Sequence, residues 1–304
     1  MIYEYAVDPE VASQWGLLEN YRFFVRELGL GQGRLMSRYP KKWARRVWES
    51  YDGYNDMEKK RLEDLLAQIQ ATIIKRQNYI WEDGNTWLEN ARLEHARHNF
   101  RAILVKNNNR NRLELLDINA FSTFPCPGWD HDHGTVVRRD AEEVAEMLGM
   151  LLTRCRWVKF IDPYFSVCRP WHKKSMTHFF RILAGERPVG TPELIEMHTS
   201  GDNASSEHLK GFYERIIPEG LQVFLYQWRK KQKGQSVHNR FILSDIGGIS
   251  FQHGLDSGED GDTDDIGRLD SAQYEYRCQQ YNPEDPSFDY AAEPILLIGK
   301  KRNW

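Results

Sequence analysis

Short apolar runs alternate with amphipathic segments between Thr135 and Leu255, and this order constrains the fold of the 304-residue chain more than any other feature. Continuous apolar runs predict strands, whereas apolar residues at three- and four-residue spacing predict helices. The pattern predicts strands at 157–162, 193–199, 221–228, 236–245 and 248–255, and helices at 140–155, 173–185 and 205–217. Alternating strands and helices that end in a run of strands favour an α/β fold with a mixed sheet.

The chain before this region has a different pattern. From Pro9 to about Glu94 the apolar residues recur at helical spacing, which predicts a smaller helical N-terminal domain at residues 1–95. Two apolar runs at 100–106 and 112–118 flank the turn-rich segment NNNRN. This arrangement favours a β-hairpin at the start of the second domain, which we place at residues 96–304.

Composition excludes several classes of protein. No apolar run approaches the ~18 residues of a membrane span, and the first residues lack a secretory signal. We therefore expect a cytoplasmic protein. We also expect no cofactor. The cysteines, Cys126, Cys155, Cys168 and Cys278, form no C-x-x-C pair, so neither a disulfide framework nor a zinc site is indicated. His131 and His133 would be half of a metal site, but a third ligand at suitable spacing is missing, and we expect no metal.

The residues with the clearest chemistry lie in the segment HNRFILSD at 238–245. Strand alternation puts His238 and Arg240 on one face, about 7 Å apart along the backbone. An imidazole can attack a phosphodiester or donate a proton, and a guanidinium holds two phosphate oxygens with its planar fork. The pair therefore predicts a site that handles phosphate, and Asp245 follows where the strand ends.

The spacing H-x-R-x4-D resembles the H-x-K-x4-D signature of the phospholipase D superfamily, whose members cleave phosphodiesters in nucleic acids and lipids. FIDPYF at 160–165 is similar to the strand and turn of that fold. The stretch at 238–256 resembles the phospholipase D-like domain at the C-terminus of MIT-domain proteins, and prokaryotic relatives suspected of anti-phage roles. The likeness covers about residues 96–290. Arg240 replaces the usual lysine, and QHGL at 252–255 stands where G-S-x-N often follows.

The resemblance implies a phospholipase D-like mixed sheet flanked by helices, and a hydrolase that needs no metal. His238 would be the nucleophile or general base, Arg240 would grip the phosphate, and Asp245 would orient an imidazole. The superfamily uses two such motifs, because one histidine attacks and another protonates the leaving group, and this chain supplies one. The second histidine is expected from the other subunit of a homodimer. Alternatively Glu196 or His198, which share a face of a predicted strand, would take this role.

Charge near the motif favours a polyanionic ligand. Residues 220–244 include basic but no acidic side chains. The candidates for contacting nucleic acid are Arg229, Lys230, Lys231, Lys233 and Trp228, and the alternative is a solvated hairpin tip. The next segment, 256–270, carries seven acidic residues and one basic residue. It lacks the bidentate glutamate of a calcium loop. We interpret it as a solvated loop, with a loosely held divalent cation or an acidic cover as alternatives.

Two functions from different classes follow from these patterns. The first is a metal-independent phosphodiesterase, a nuclease of a prokaryotic antiviral defence system that works as a homodimer through a phosphohistidine. The second is a catalytically inactive phospholipase D-like module that binds nucleic acid, anionic lipid or a partner protein. Its N-terminal helices would then dock a partner such as an ATPase. Lipid cleavage is disfavoured, because the sequence has no strongly apolar interfacial helix.

Overall fold

The computed structural model describes residues 1–53, 55–109, 111–122, 125–165, 170–201 and 205–300, which form two compact units. The first unit comprises Met1–Asp132 with Pro188–Gly190, and the second comprises His133–Arg187 and the chain from Thr191 onward. Residues 96–132, which the sequence groups with the later strands, thus lie in the first unit. Within the described ranges no helix is both long and apolar enough to cross a membrane.

The first unit combines helices with a small parallel sheet. Its helices are α1 (Pro9–Ala12), α2 (Leu18–Glu27), α3 (Trp43–Glu49), α4 (Asp56–Gln70) and α5 (Trp87–Arg97), and its strands are β1 (Tyr3–Val7), β2 (Arg34–Met36), β3 (Ala102–Val105) and β4 (Leu115–Asp117). The strands pair in the order β2-β1-β3-β4 and all run parallel. Helical periodicity alone does not reveal β1 and β2, which are short and almost fully buried.

The predicted hairpin of β3 and β4 is wrong. The two strands run parallel, with Ile103 paired to Leu115. The Asn108 side chain donates to the carbonyls of Arg112 and Leu115, both at 2.9 Å, and Asp117 accepts the Asn108 N–H. These hydrogen bonds shape a loop that returns the chain to the beginning of β3. Apolar runs around a turn-rich segment do not distinguish this loop from a simple reversal.

A buried ion cluster stabilises the first unit. Arg76 donates to Glu4 at 2.6 and 2.8 Å and to Glu94 at 2.5 Å, and none of the three side chains has exposed surface. The Arg76 guanidinium also lies 3.8 Å from the centroid of the Phe100 ring. Buried charges are tolerated only where they are fully paired. The cluster therefore fixes β1 and α5 in one arrangement around Arg76.

The second unit is built on a mixed sheet. Its strands are β5 (Gly134–Arg138), β6 (Trp157–Ile161), β7 (Leu194–Ser200), β8 (Gln222–Arg229), β9 (Arg240–Ser244), β10 (Gly247–Phe251), β11 (Thr263–Arg268), β12 (Asp289–Tyr290) and β13 (Ile295–Ile298). Its helices are α6 (Ala141–Met147), α7 (Gly149–Arg154), α8 (Pro170–Ala184), α9 (Ser206–Tyr213) and α10 (Ser271–Gln280). The strand order is β12-β8-β7-β6-β9-β10-β11-β5, and β13 also pairs with β8. The expectation of an α/β fold with a mixed sheet is confirmed.

The direction of the central strands decides which loops meet. β6, β7 and β8 are parallel to one another, and β9 runs antiparallel to β6. Phe160 of β6 stacks on Phe179 of α8 with ring centroids 5.7 Å apart, so we call this side of the sheet the α8 face. On the other side, Arg277 of α10 lies 4.9 Å from the centroid of the Phe241 ring. We call this side the α10 face.

Candidate functional site

One edge of the second unit's sheet brings together segments that are far apart in sequence. β6 and β8 both end at this edge, which we call the carboxyl edge. Because Ile161 pairs with Phe241 in antiparallel register, β9 begins there. Tyr164 follows β6, the basic segment 229–233 begins at the last residue of β8, and His238 precedes β9. Ligand sites commonly form where loops follow the carboxyl ends of parallel strands.

His238 and Arg240 meet on the ring of Tyr164. The Tyr164 hydroxyl lies 2.9 Å from His238 Nδ1, and the ring is perpendicular to the imidazole. The Arg240 guanidinium lies 4.6 Å from the centroid of the same ring, and its Nη1 donates to the Gln252 carbonyl at 3.0 Å. His238 is exposed. Since Nδ1 is held by the tyrosine, Nε2 is the nitrogen that the imidazole presents to a ligand.

Asp162 connects the turn at Tyr164 to the segment Gly254–Leu255, which packs against Arg240. Its carboxylate is buried and accepts the N–H groups of Tyr164 and Leu255, both at 2.9 Å. Gly254, the residue before Leu255, has a φ of 137°. A Cβ at this position would lie 2.9 Å from Asp162 Oδ2 and 3.6 Å from Arg240 Nε. A side chain at this position is therefore excluded by both strain and space. Asp162 and Gly254 therefore help to position Tyr164 and Arg240.

Sequence reasoning missed Asp162 and Tyr164 as site residues. Both belong to FIDPYF, which resembles a strand and turn of the phospholipase D-like fold and by itself points to no site residue. A carboxylate directly after a buried strand, followed by proline and an aromatic residue, was the available signal. The partner of Tyr164 lies 74 residues further along the chain, so spacing within one motif could not reveal the contact.

Asp245 lies at the opposite end of β9 from His238. Its Oδ1 accepts the N–H groups of Arg156 and Trp157, and its Oδ2 lies 3.1 Å from Arg156 Nε. These contacts connect the end of β9 to the beginning of β6. The hydrogen bonds of Asp245 therefore support the sheet, and the imidazole of His238 is held by Tyr164 instead.

Glu196 and His198 lie on the α10 face, opposite to Arg240. His198 pairs with Ile161, and Ile161 pairs with Phe241. Paired residues share a face and successive residues alternate, so Arg240 points to the α8 face. Both Glu196 and His198 are buried. The alternation correctly put these two side chains together, but the structure does not bring them to His238.

His198 belongs to a closed polar network. Its Nδ1 accepts the Trp228 indole N–H at 3.0 Å, its Nε2 lies 3.1 Å from Glu196 Oε2, and Lys159 lies 2.8 Å from the same Glu196 oxygen. Burial lowers the pKa of the His198 imidazole below its ordinary value. A neutral ring that accepts at Nδ1 and donates at Nε2 satisfies both contacts. This network is part of the core.

The basic segment is exposed, whereas its aromatic neighbour is not. Arg229, Lys230 and Lys233 are exposed at the carboxyl edge. Lys231 Nζ donates to the Pro286 carbonyl at 2.7 Å. Trp228 has no exposed surface, so it is not placed to stack on an unpaired base. Arg229, Lys230 and Lys233 thus remain as candidate phosphate contacts.

Three carboxylates of the acidic segment 256–270 are paired or buried. Asp256 pairs with Arg139 at 2.7 Å, Asp262 lies 3.6 Å from the same arginine, and Asp264 is buried. Among the described residues, no group of three or more histidine, cysteine or acidic side chains is arranged to hold a metal ion. His131 Nδ1 lies 3.0 Å from the Trp129 carbonyl, and Cys168 lies outside the described residues.

No protein-family model matches this chain, and no curated protein matches it significantly. What the site can do therefore follows from its own chemistry. An exposed imidazole and a guanidinium share one tyrosine at a sheet edge that also carries exposed lysines.

Proposed function

We propose that this chain is a phosphodiesterase that acts on nucleic acid at His238 without a metal ion. The observation that carries the proposal is the contact of Tyr164 with both His238 Nδ1 and the Arg240 guanidinium. It fixes a nucleophile next to a permanent positive charge. Arginine is suited to this position because its fork matches the oxygens of a phosphate and its charge is independent of pH.

The chemistry divides into two steps. In the first, His238 Nε2 attacks phosphorus, a nitrogen–phosphorus bond forms, and the bond from phosphorus to the leaving oxygen breaks. The leaving oxygen takes up a proton, and Arg240 stabilises the negative charge on the other phosphate oxygens. In the second step water attacks phosphorus, loses a proton and releases His238. In the phospholipase D-like homodimer that the resemblance implies, the second subunit's histidine supplies and accepts the proton.

The charge around the site favours a polymeric anion as the substrate. Arg229, Lys230 and Lys233 are exposed at the same sheet edge as His238. An open groove of about 820 Å³ beside the α10 face is lined by His238 and Arg277. Repeated basic side chains bind successive phosphates of a nucleic acid strand. We extend the proposal to a nuclease, and a role in anti-phage defence is the setting that the resemblance implies.

A second candidate, binding without cleavage, is favoured by a different observation. Glu196 and His198 are buried on the opposite face, so they offer no proton donor at the site. Arg240 is also already held by the Gln252 carbonyl. A site with one imidazole and one guanidinium would bind a phosphodiester and leave it intact. In that case the chain recruits nucleic acid, anionic lipid or a phosphorylated partner to a larger complex.

One assay separates the two candidates. Purified protein is incubated in EDTA with end-labelled single- and double-stranded DNA and RNA, and both cleavage and complex formation are measured. Cleavage in EDTA supports the nuclease. Complexes that form without cleavage support the binding module, and the failure of both contradicts the two proposals together.

Tyr164→Phe is expected to lower the cleavage rate about fivefold, because one hydrogen bond to the imidazole is worth ~1 kcal/mol. The ring under Arg240 stays in place, so affinity for nucleic acid should hold. Tyr276→Phe is the matched control, since this tyrosine is 55% exposed and contacts only the side chain of Gln235 among its described hydrogen bonds. Equal rates for the two variants would contradict the role of Tyr164.

Asp245→Ala is expected to lower stability by about 1–3 kcal/mol, because the N–H groups of Arg156 and Trp157 lose their acceptor. The cleavage rate of the folded variant should stay within about threefold of wild type, since the lost contacts are distant from His238. Urea unfolding and the cleavage assay measure the two effects separately. A large loss of cleavage rate with unchanged stability would show that Asp245 contributes to the reaction.

A further inference from the structure

The groove beside the α10 face extends from His238 across four strands. Its volume is about 820 Å³, and ordinary ligand sites have roughly 300–1,000 Å³. Residues of β5, β9, β10 and β11 line it together with residues of α10. His238 and Asn239 line it directly before β9 begins. A nucleic acid strand with one phosphate at His238 can therefore place a neighbouring nucleotide in this groove.

The floor of the groove is a row of paired residues on the α10 face. Phe241 of β9, which lies under Arg277 of α10, pairs with Ser250 of β10. Ser250 pairs in turn with Gly267 of β11, and Gly267 pairs with Gly134 of β5. Paired residues share a face of a sheet. Because the two glycines have no side chain, a flat ligand can approach the sheet closely here.

Asp265 presents a carboxylate to this groove. It lies two residues before Gly267 on β11, so its side chain is on the same face. The carboxylate is exposed, and within the described part of the chain it makes no hydrogen bond or ion pair. Asn239 and Gln252, which carry side-chain amides, line the same groove.

Arg277 brings a positive charge to the groove from α10. Its guanidinium lies 4.9 Å from the centroid of the Phe241 ring and 5.1 Å from that of Tyr276. Its Nη1 donates to the Gln280 side chain at 2.9 Å, and no carboxylate of the described residues pairs with it. A guanidinium that aromatic rings hold in place, without an acidic partner, is suited to bind a phosphate.

The carboxylate of Asp265 indicates which part of a nucleotide lies next to it. It would repel a phosphate, whereas it would accept hydrogen bonds from the edge of a base. Guanine carries two adjacent donors, N1–H and N2–H, on its Watson–Crick edge, and these match the two oxygens of a carboxylate. The neighbouring guanine O6 is an acceptor that the amide of Asn239 or Gln252 complements.

We propose that the groove is a base-binding subsite in which Asp265 recognises an unpaired guanine next to the phosphate at His238. This inference rests on the proposed phosphodiesterase and narrows its substrate to single-stranded nucleic acid. In a duplex the same edge of guanine is paired with cytosine, so only an unpaired base presents both donors to a protein. Arg277 binds a further phosphate of the strand, and Asp265 selects the base.

The test measures the base preference of Asp265→Asn. Thymidine strands with one central guanine, adenine or cytosine are incubated with each protein, and cleavage rates and affinities are measured. Wild-type protein should prefer the guanine strand by about tenfold, the discrimination that a bidentate base contact provides. Asp265→Asn should lose this preference, because the amide replaces one acceptor with a donor. Asp285→Asn is the matched control, since its carboxylate is exposed outside the groove.

Arg277→Met should behave differently from Asp265→Asn. It should weaken the binding of all three strands alike, because phosphate contacts carry no information about the base. Preference is a ratio within each protein, so a partial loss of activity does not alter it. Thermal unfolding verifies that the variants are folded.

Three results would overturn the inference and leave the proposed function standing. They are cleavage by the wild type without a base preference, a guanine preference that Asp265→Asn retains, and the same preference on a duplex of the same sequence. A guanine preference in binding without any cleavage would contradict the phosphodiesterase and retain the subsite. A wild type that neither binds nor cleaves these strands contradicts both.

Discussion

Replacing His238 with alanine is expected to reduce cleavage of nucleic acid by about 10³-fold or more, since loss of a nucleophile removes the covalent route altogether. The imidazole is exposed, so the fold should be unaffected. Arg240 and the basic segment 229–233 remain, and the affinity for nucleic acid should fall only modestly. Single-turnover kinetics in EDTA, together with a binding titration of the same variant, separate these effects.

The matched control for His238→Ala is His208→Ala, which removes an exposed imidazole from a helix of the same unit. It should cleave at the wild-type rate. An equal reduction in both variants would point to a general effect of removing histidine. Unchanged cleavage by His238→Ala would show that this residue takes no part in the reaction. If the wild type does not cleave and His238→Ala loses affinity for nucleic acid, the binding module is favoured.

The largest effect on stability is expected from Arg76→Met. Removing the arginine leaves the carboxylates of Glu4 and Glu94 buried without their partner. Breaking a buried ion pair from one side typically costs about 3–5 kcal/mol, because an uncompensated charge remains in the core. The midpoint of urea unfolding, followed by tryptophan fluorescence of the first unit, should fall accordingly. Failure of the variant to accumulate as folded protein is the extreme form of the same result.

Arg45→Met is the control for this stability change. Arg45 pairs with Glu49 at 2.8 Å on an exposed helix surface, and such pairs contribute about 0–1 kcal/mol. Its unfolding midpoint should match that of the wild type within error. If Arg76→Met were equally mild, the buried cluster would not be a principal support of the first unit.

The sequence pattern of the second unit was sufficient to predict the strands β6 to β10, but not β5, β11, β12 and β13. The segments 157–161 and 194–200 became central strands, although the buried polar residues Lys159, Glu196 and His198 interrupt their apolar residues. The first unit was harder to predict. β2 spans only Arg34–Met36, too short for any period to be measured. The connection between parallel β3 and β4 contains hydrogen bonds from the Asn108 side chain, and no periodicity encodes them.

The candidate site could be predicted only where its residues are adjacent in sequence. His238 and Arg240 were found because strand alternation relates neighbours directly. The same alternation placed Glu196 with His198 but could not tell which face of the sheet they occupy. Trp228 looked like a stacking residue among lysines, yet it contacts the buried His198.

Site residues that other strands contribute could not be predicted. Tyr164 and Gly254 reach the site from the segments that follow β6 and β10. Their contribution depends on strand order and register, since β9 lies between β6 and β10 in the sheet. Neither property can be read from the spacing of one motif.

The central claim is that His238 forms a covalent bond to phosphorus, and trapping that bond tests it most directly. Wild-type protein is mixed in EDTA with nucleic acid carrying ³²P at the cleaved bonds, quenched in alkaline detergent, and digested for peptide mapping. We predict label on the peptide that contains His238, and none on the His238→Ala variant. Cleavage that proceeds with no label on this peptide, or equal turnover by the variant, would contradict the claim.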